Sequence, residues 1–159
     1  MSAAVLRHLL LIAFIAAAPA RAIDVPFLTG RVVDNAEILK ADTRSKLTQD
    51  LKALEDRTTH QVAVLTMPTL AGESVEDFAV RVFEAWKLGQ KGKDNGVLVI
   101  VAPNDRKMRI EVGYGLEGTL TDAAASRIIR EAMTPQFKGG NFDAGVIAGV
   151  QAIVDTLDG

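Results

Sequence analysis

The chain has 159 residues, no cysteine and a formal net charge of −2 at pH 7. The missing thiols exclude disulfide frameworks, thiolate metal sites and cysteine nucleophiles. Mild acidity without a basic block argues against nucleic acid as a partner.

Met1–Ala22 has the three parts of a cleavable secretory signal. Arg7 supplies the positive start, Leu9–Ala18 an apolar run, and Ala20-Arg21-Ala22 the small-x-small cleavage pattern. Ten apolar residues make about 15 Å of helix, roughly half the hydrocarbon thickness of a bilayer, so a membrane anchor is the poorer reading. The leader takes Arg7 and Arg21 with it and no acidic residue. Residues 23–159 then form a single domain carrying a net charge of −4. The expected location is the periplasm.

Residues 23–40 read as irregular, with a short strand at Arg31–Val33. Leu47, Leu51 and Leu54 recur at helical spacing and predict a helix over Ala41–Arg57. Gln61–Met67 is apolar on both faces, as a central strand requires. Ser74 and Asp77 open a second helix over Glu73–Leu88, with Val75, Phe78, Val82 and Trp86 as its buried stripe. Gly96–Ala102 is a second central strand. Lys107–Gly113 alternates apolar Met108, Ile110 and Val112 with charged residues, and Pro103–Arg106 reads as the hairpin turn between the two. Helices at about 121–134 and 142–157 complete the chain. This order predicts an α/β fold, a three-layer α/β/α sandwich around a small mixed sheet of three to five strands. Its two central strands run parallel and the third antiparallel to them.

A turn centred on Asn104–Asp105 places residue 96 opposite residue 113. The loop Lys93-Asp94-Asn95-Gly96 then meets Gly113-Tyr114-Gly115-Leu116-Glu117-Gly118 at one end of the sheet, with Asp122 starting the next helix. Asp94, Asn95, Glu117 and Asp122 offer oxygen ligands only, which suits calcium or magnesium. Each also has a bland reading, as turn residue, helix-start acid or solvated charge.

The run Gly113–Gly118 matches the G-x-G-x-x-G dinucleotide fingerprint, but a helix rather than a parallel strand follows its helix, so dinucleotide binding is rejected. His60 is the only histidine outside the leader and reads as a surface residue. No G-x-S-x-G, P-loop, H-E-x-x-H or EF-hand spacing occurs. Arg106, Arg109, Arg127 and Arg130 offer phosphate contacts that exposed faces explain equally well. By elimination, hydrolysis would need a metal-bound water or a carboxylate such as Asp94 as its nucleophile.

Three segments carry a resemblance to a known family. They are Val25-Pro26 through Ile38-Leu39, Gly89-Gln90-Lys91-Gly92-Lys93-Asp94-Asn95-Gly96-Val97-Leu98, and Arg109-Ile110-Glu111-Val112-Gly113-Tyr114-Gly115-Leu116-Glu117-Gly118. In this order they resemble the TPM domain, over essentially all of residues 25–157. That family includes a thylakoid-lumen acid phosphatase linked to photosystem II repair and many bacterial exported proteins. The resemblance implies an α/β/α sandwich, a divalent cation (calcium or magnesium) and phosphatase activity on phosphate monoesters. Carried onto this chain, it implies metal-site roles for Asp94, Glu117 and Asp122, and adds Asp34 from the Val-x-Asp-x-Ala segment. Many bacterial members have a transmembrane helix and a Gly-rich tail after the domain, which this sequence lacks. The expectation is therefore a free periplasmic protein. It is either a metal-dependent phosphatase or a non-catalytic module that assists assembly or repair of membrane protein complexes.

Overall fold

In the computed structural model, which describes residue 16 and residues 21–159, the runs Val62–Thr66 and Gly96–Ala102 are buried along their whole length. The leader predicted at residues 1–22 lies almost entirely outside the described residues. Side chains of a strand alternate between faces, so an apolar run with no polar break demands cover on both sides. The sheet has four strands in the order β1 (Val32–Asp34), β2 (Gln61–Thr66), β3 (Gly96–Ala102) and β4 (Lys107–Val112). β1, β2 and β3 are parallel and β4 is antiparallel to β3. Val97 pairs with Val112 and Ala102 with Lys107, which puts residue 96 opposite residue 113, the register expected from the turn chemistry.

One face of the sheet presents Val62, Val64, Val97, Val99, Val101 and Ile110. It is covered by α1 (Ala41–Thr58), by α5 (Phe142–Asp158) and by the helical run between β4 and α5. The other face, with Ala63, Leu65, Leu98 and Ile100, is covered by α2 (Val75–Trp86). The result is the α/β/α sandwich expected from the order of elements. Ser74 caps α2 by accepting from the Asp77 amide. Trp86 is buried and donates from Nε1 to the Pro26 carbonyl at 2.8 Å. Arg81 grips Glu73 through both carboxylate oxygens and also donates to the Ile23 carbonyl. The segment before β1 is thereby laid along α2.

The run between β4 and α5 differs from a uniform helix. α3 (Asp122–Arg127) widens into a π-helical segment, Ile128–Met133, before α4 (Thr134–Lys138). Pro135 lacks the N–H that a regular helix would use there, and its ring crowds the carbonyl four residues back. The widening precedes it directly. Met133 is fully buried against α5, where a Cβ on Gly149 would lie 2.6 Å from its sulfur.

The hairpin turn is a single 3-10 turn, Pro103–Asp105, clamped to the loop after β2. Asp105 accepts from the Leu70 amide at 2.6 Å and from the Thr69 hydroxyl at 2.7 Å. The Leu70 amide, then the Thr69 hydroxyl, hold its carboxyl below the ordinary carboxylate range. A depressed folded pKa stabilises the fold above the unfolded value near 4, and the gain is lost as pH falls through the lower folded value. Asp105→Ala is therefore expected to melt below the parent at neutral pH and to converge with it in acid. Melting curves from about pH 2.5 to 7 read the difference; parallel curves would refute the clamp.

Candidate functional site

At the end of the sheet where β2 and β3 begin and β4 finishes, the loop carrying Asp94 and Asn95 meets the run Gly113–Gly118 that carries Glu117. The Gly113 amide donates to the Gly96 carbonyl at 2.8 Å, and the Gly115 amide to the Asp94 carbonyl at 3.0 Å. Two loops therefore lie backbone against backbone. A Cβ on Gly113 would fall 2.3 Å from the Asp94 carbonyl oxygen, and one on Gly115 would fall 1.9 Å from that of Lys93. Only hydrogen fits at either place. The first two glycines of the run that imitates a dinucleotide fingerprint are thus explained by loop contact, whereas nothing lies within 4 Å of a Cβ on Gly118.

The loop before β3 is held from within. The Lys93 and Asp94 amides donate to the Gln90 carbonyl, and buried Asn95 accepts from the Gln90 amide at 2.8 Å. Asn95 also donates to the Thr59 carbonyl at 2.9 Å and to its hydroxyl at 3.1 Å. Its donors and its carbonyl are spent on the fold, and it is not free to ligate. Asp94 sits at φ 48°, a left-handed conformation that a short polar residue tolerates. Its side chain is exposed.

Asp94, Glu117 and Asp122 are exposed, and among the described residues none of them makes an ion pair or a side-chain hydrogen bond. Glu117 follows the 3-10 turn Tyr114–Leu116, and Asp122 opens α3 beside its cap Thr121. Their chemistry suits a hard cation. Their placement is looser than a formed site, because no group of three or more His, Asp or Glu side chains is gathered to hold a metal among the described residues.

Asp34 is elsewhere. It ends β1 beside Thr66, whereas Asp94 precedes Gly96, which pairs with Gln61 at the start of β2. Five residue steps of strand separate the two levels, roughly 17 Å at about 3.3 Å per residue. The Asp34 side chain is 2% exposed. It accepts from the Ile38 amide (3.1 Å), the Leu39 amide (3.0 Å), the Thr66 hydroxyl (2.6 Å) and Arg44 Nη1 (3.4 Å). The structure does not bring it to the other three.

His60, read from the sequence as a surface residue, is half-buried, and its Nδ1 is enclosed with no partner. Burial, then the nearby charge of Lys93, lower its pKa and keep the imidazole neutral. Tyr114, carried in the sequence only as part of a motif, is 80% exposed between the two close-packed glycines. An exposed ring at the tip of a rigid loop gives no pattern that periodicity could detect. Of the four arginines weighed as phosphate contacts, Arg109 is bound to Glu111 at 2.7 Å and Arg130 to Glu131 at 3.6 Å.

These features define a small α/β sandwich whose loops before β3 and after β4 meet and carry exposed Asp94 and Glu117. Solved structures share the architecture. The N-terminal domain of a protein from P. gingivalis is 34% identical with a TM-score of 0.79, over 85% of this chain and 89% of that one. The BA42 protein of the psychrophilic bacterium Bizionia argentinensis is 27% identical with a TM-score of 0.64, over 76% and 82%. The N-terminal domain of a Corynebacterium glutamicum protein shares the fold at 14% identity, with a TM-score of 0.63 over 87% of each chain. No curated protein matches the chain. The model of the TPM domain matches residues 32–156, and the chain belongs to that family.

Proposed function

We propose that this is an exported TPM domain that takes up a divalent cation, calcium or magnesium, at the rim formed by Asp94, Glu117 and Asp122. The observation that carries the reading is the contrast between these three exposed, unpartnered carboxylates and Asp34, whose oxygens are spent on the fold. Carboxylates without a protein partner among the described residues are open to a ligand from solvent. An incomplete protein ligand set, finished by water, places the affinity with weak extracellular calcium modules, at a Kd of about 10⁻⁴ to 10⁻³ M.

The activity proposed on that rim is hydrolysis of phosphate monoesters. A bound cation would supply charge neutralisation at a phosphoryl oxygen. The chain's own part is to hold it and to provide Asp94, exposed and unpartnered, as the group that accepts a proton or attacks. Neutral His60, with its enclosed Nδ1, is a poor base for this role. A second reading is favoured by the 80% exposed ring of Tyr114, three residues before Glu117. It is a non-catalytic module that assists assembly or repair of membrane protein complexes. No described helix is long and apolar enough to cross a membrane.

With 10 mM calcium and a Kd near 1 mM, linkage stabilises the fold by about 1.4 kcal/mol, a rise in Tm of roughly 5 °C. Asp94→Gly, which removes the carboxylate and suits the left-handed backbone at φ 48°, should abolish that shift without lowering the cation-free Tm. Absence of any shift with calcium or magnesium would remove the cation reading. Hydrolysis of p-nitrophenyl phosphate, lost with chelator and in Asp94→Gly, supports the enzyme. Saturable calcium binding without turnover supports the module.

A further inference from the structure

At the opposite end of the sheet, where β3 runs into the hairpin turn, a cavity of about 450 Å³ opens between that turn and α4–α5. This is within the roughly 300–1,000 Å³ range of small-molecule pockets. Part of its wall is apolar, formed by Val101, Met108, Phe137 and Phe142 among others. The two phenylalanine rings stand 5.4 Å apart at 48°. Phe137 is seated by a missing side chain, since a Cβ on Gly145 would lie 2.1 Å from the ring.

Three cations, Arg106, Lys107 and Lys138, line the same cavity, and no Asp or Glu does. None of the three makes an ion pair or side-chain hydrogen bond among the described residues. Lys107 acts on neighbouring Asp105, whose oxygens accept from the Leu70 amide and the Thr69 hydroxyl. Arg106 adopts φ 52°, where glycine or asparagine would sit at less cost. That left-handed residue caps the 3-10 turn, its amide donating to the Pro103 carbonyl, and the turn sets Arg106 in the cavity lining. An arginine beside apolar walls suits a planar anionic head on an apolar body.

We propose that this cavity binds a small amphipathic organic anion. Arg106 and Lys138 hold its carboxylate, sulfonate or phosphate head, and Met108 and the two phenylalanine rings pack its apolar body. The site shares no residue with the carboxylate rim, so it stands or falls apart from the cation reading.

The test is an NMR titration of the whole domain, with chelator present, using 1-naphthoate and naphthalene-1-sulfonate as probes. Neutral naphthalene-1-methanol and inorganic sulfate are the comparison ligands. Both anions are expected to shift amides of residues 101–108 and 134–142 saturably, and the comparison ligands to bind about tenfold or more weakly. Arg106→Gly is expected to weaken the anions about tenfold, the size of one charge-assisted hydrogen bond, with no fall in Tm because glycine relieves the turn. Lys138→Ala weakens them without touching the turn. Equal binding by Arg106→Gly and the parent, sulfate as tight as the naphthalene anions, or shifts confined to other residues would each overturn the proposal.

Discussion

Gly115→Ala is expected to cost about 3 kcal/mol of folding stability, at the upper end of what overpacking costs. The new Cβ would stand 1.9 Å from the Lys93 carbonyl oxygen and 3.1 Å from that of Asp94. Both are backbone atoms, so no side-chain rotation relieves the clash. One of the two loops has to move, and the Gly115-to-Asp94 hydrogen bond is lost with it. The cause is steric, because Gly115 has no left-handed φ to lose. Gly118→Ala is the matched control: nothing lies within 4 Å of its Cβ, and its cost should stay within about 0.5 kcal/mol. Urea unfolding with an unchanged slope reads both. Equal midpoints for the two variants would mean that the loops do not meet as described. Because the displaced loop carries Asp94, the calcium-dependent rise in Tm should fall in Gly115→Ala and persist in Gly118→Ala.

The second large effect belongs to Asp34. Asp34→Ala leaves the Ile38 and Leu39 amides and the Thr66 hydroxyl without their acceptor in a buried setting. Stranding these groups is expected to cost about 3–4 kcal/mol. The loop they stabilise joins β1 to α1, so the loss should appear as global destabilisation. The calcium response distinguishes this role from ligation. Asp34→Ala should melt lower by the same amount with and without calcium, keeping the full cation-induced shift. A variant with normal cation-free stability and no calcium shift would instead return Asp34 to the metal site.

Much of the fold is legible in the sequence because its signals are local. The leucine spacing from Leu47 to Leu54, the Ser74 cap and the unbroken apolar run Gly96–Ala102 each depend on neighbours within a few residues. The hairpin register is legible for the same reason. A short turn at Pro103–Asp105 and strict alternation in β4 leave one pairing that buries Ile110 on the core face. The meeting of the Asp94 loop with Gly113–Gly118 follows from that register alone.

What the residues themselves determine, then, is the set of elements, the pairing of β3 with β4 and the presence of acidic residues at the end of that hairpin. The tertiary structure decides which acids are free, since a carboxylate's partners come from distant segments. Asp34 is satisfied by its own loop together with Thr66, 32 residues on, and β1 joins the sheet parallel to β2, which carries its end away from Asp94. The same holds for the cavity at the far end. Its arginine comes from a turn and its rings from α4 and α5, and only the packing of Phe137 into the space left by Gly145 brings them to one wall.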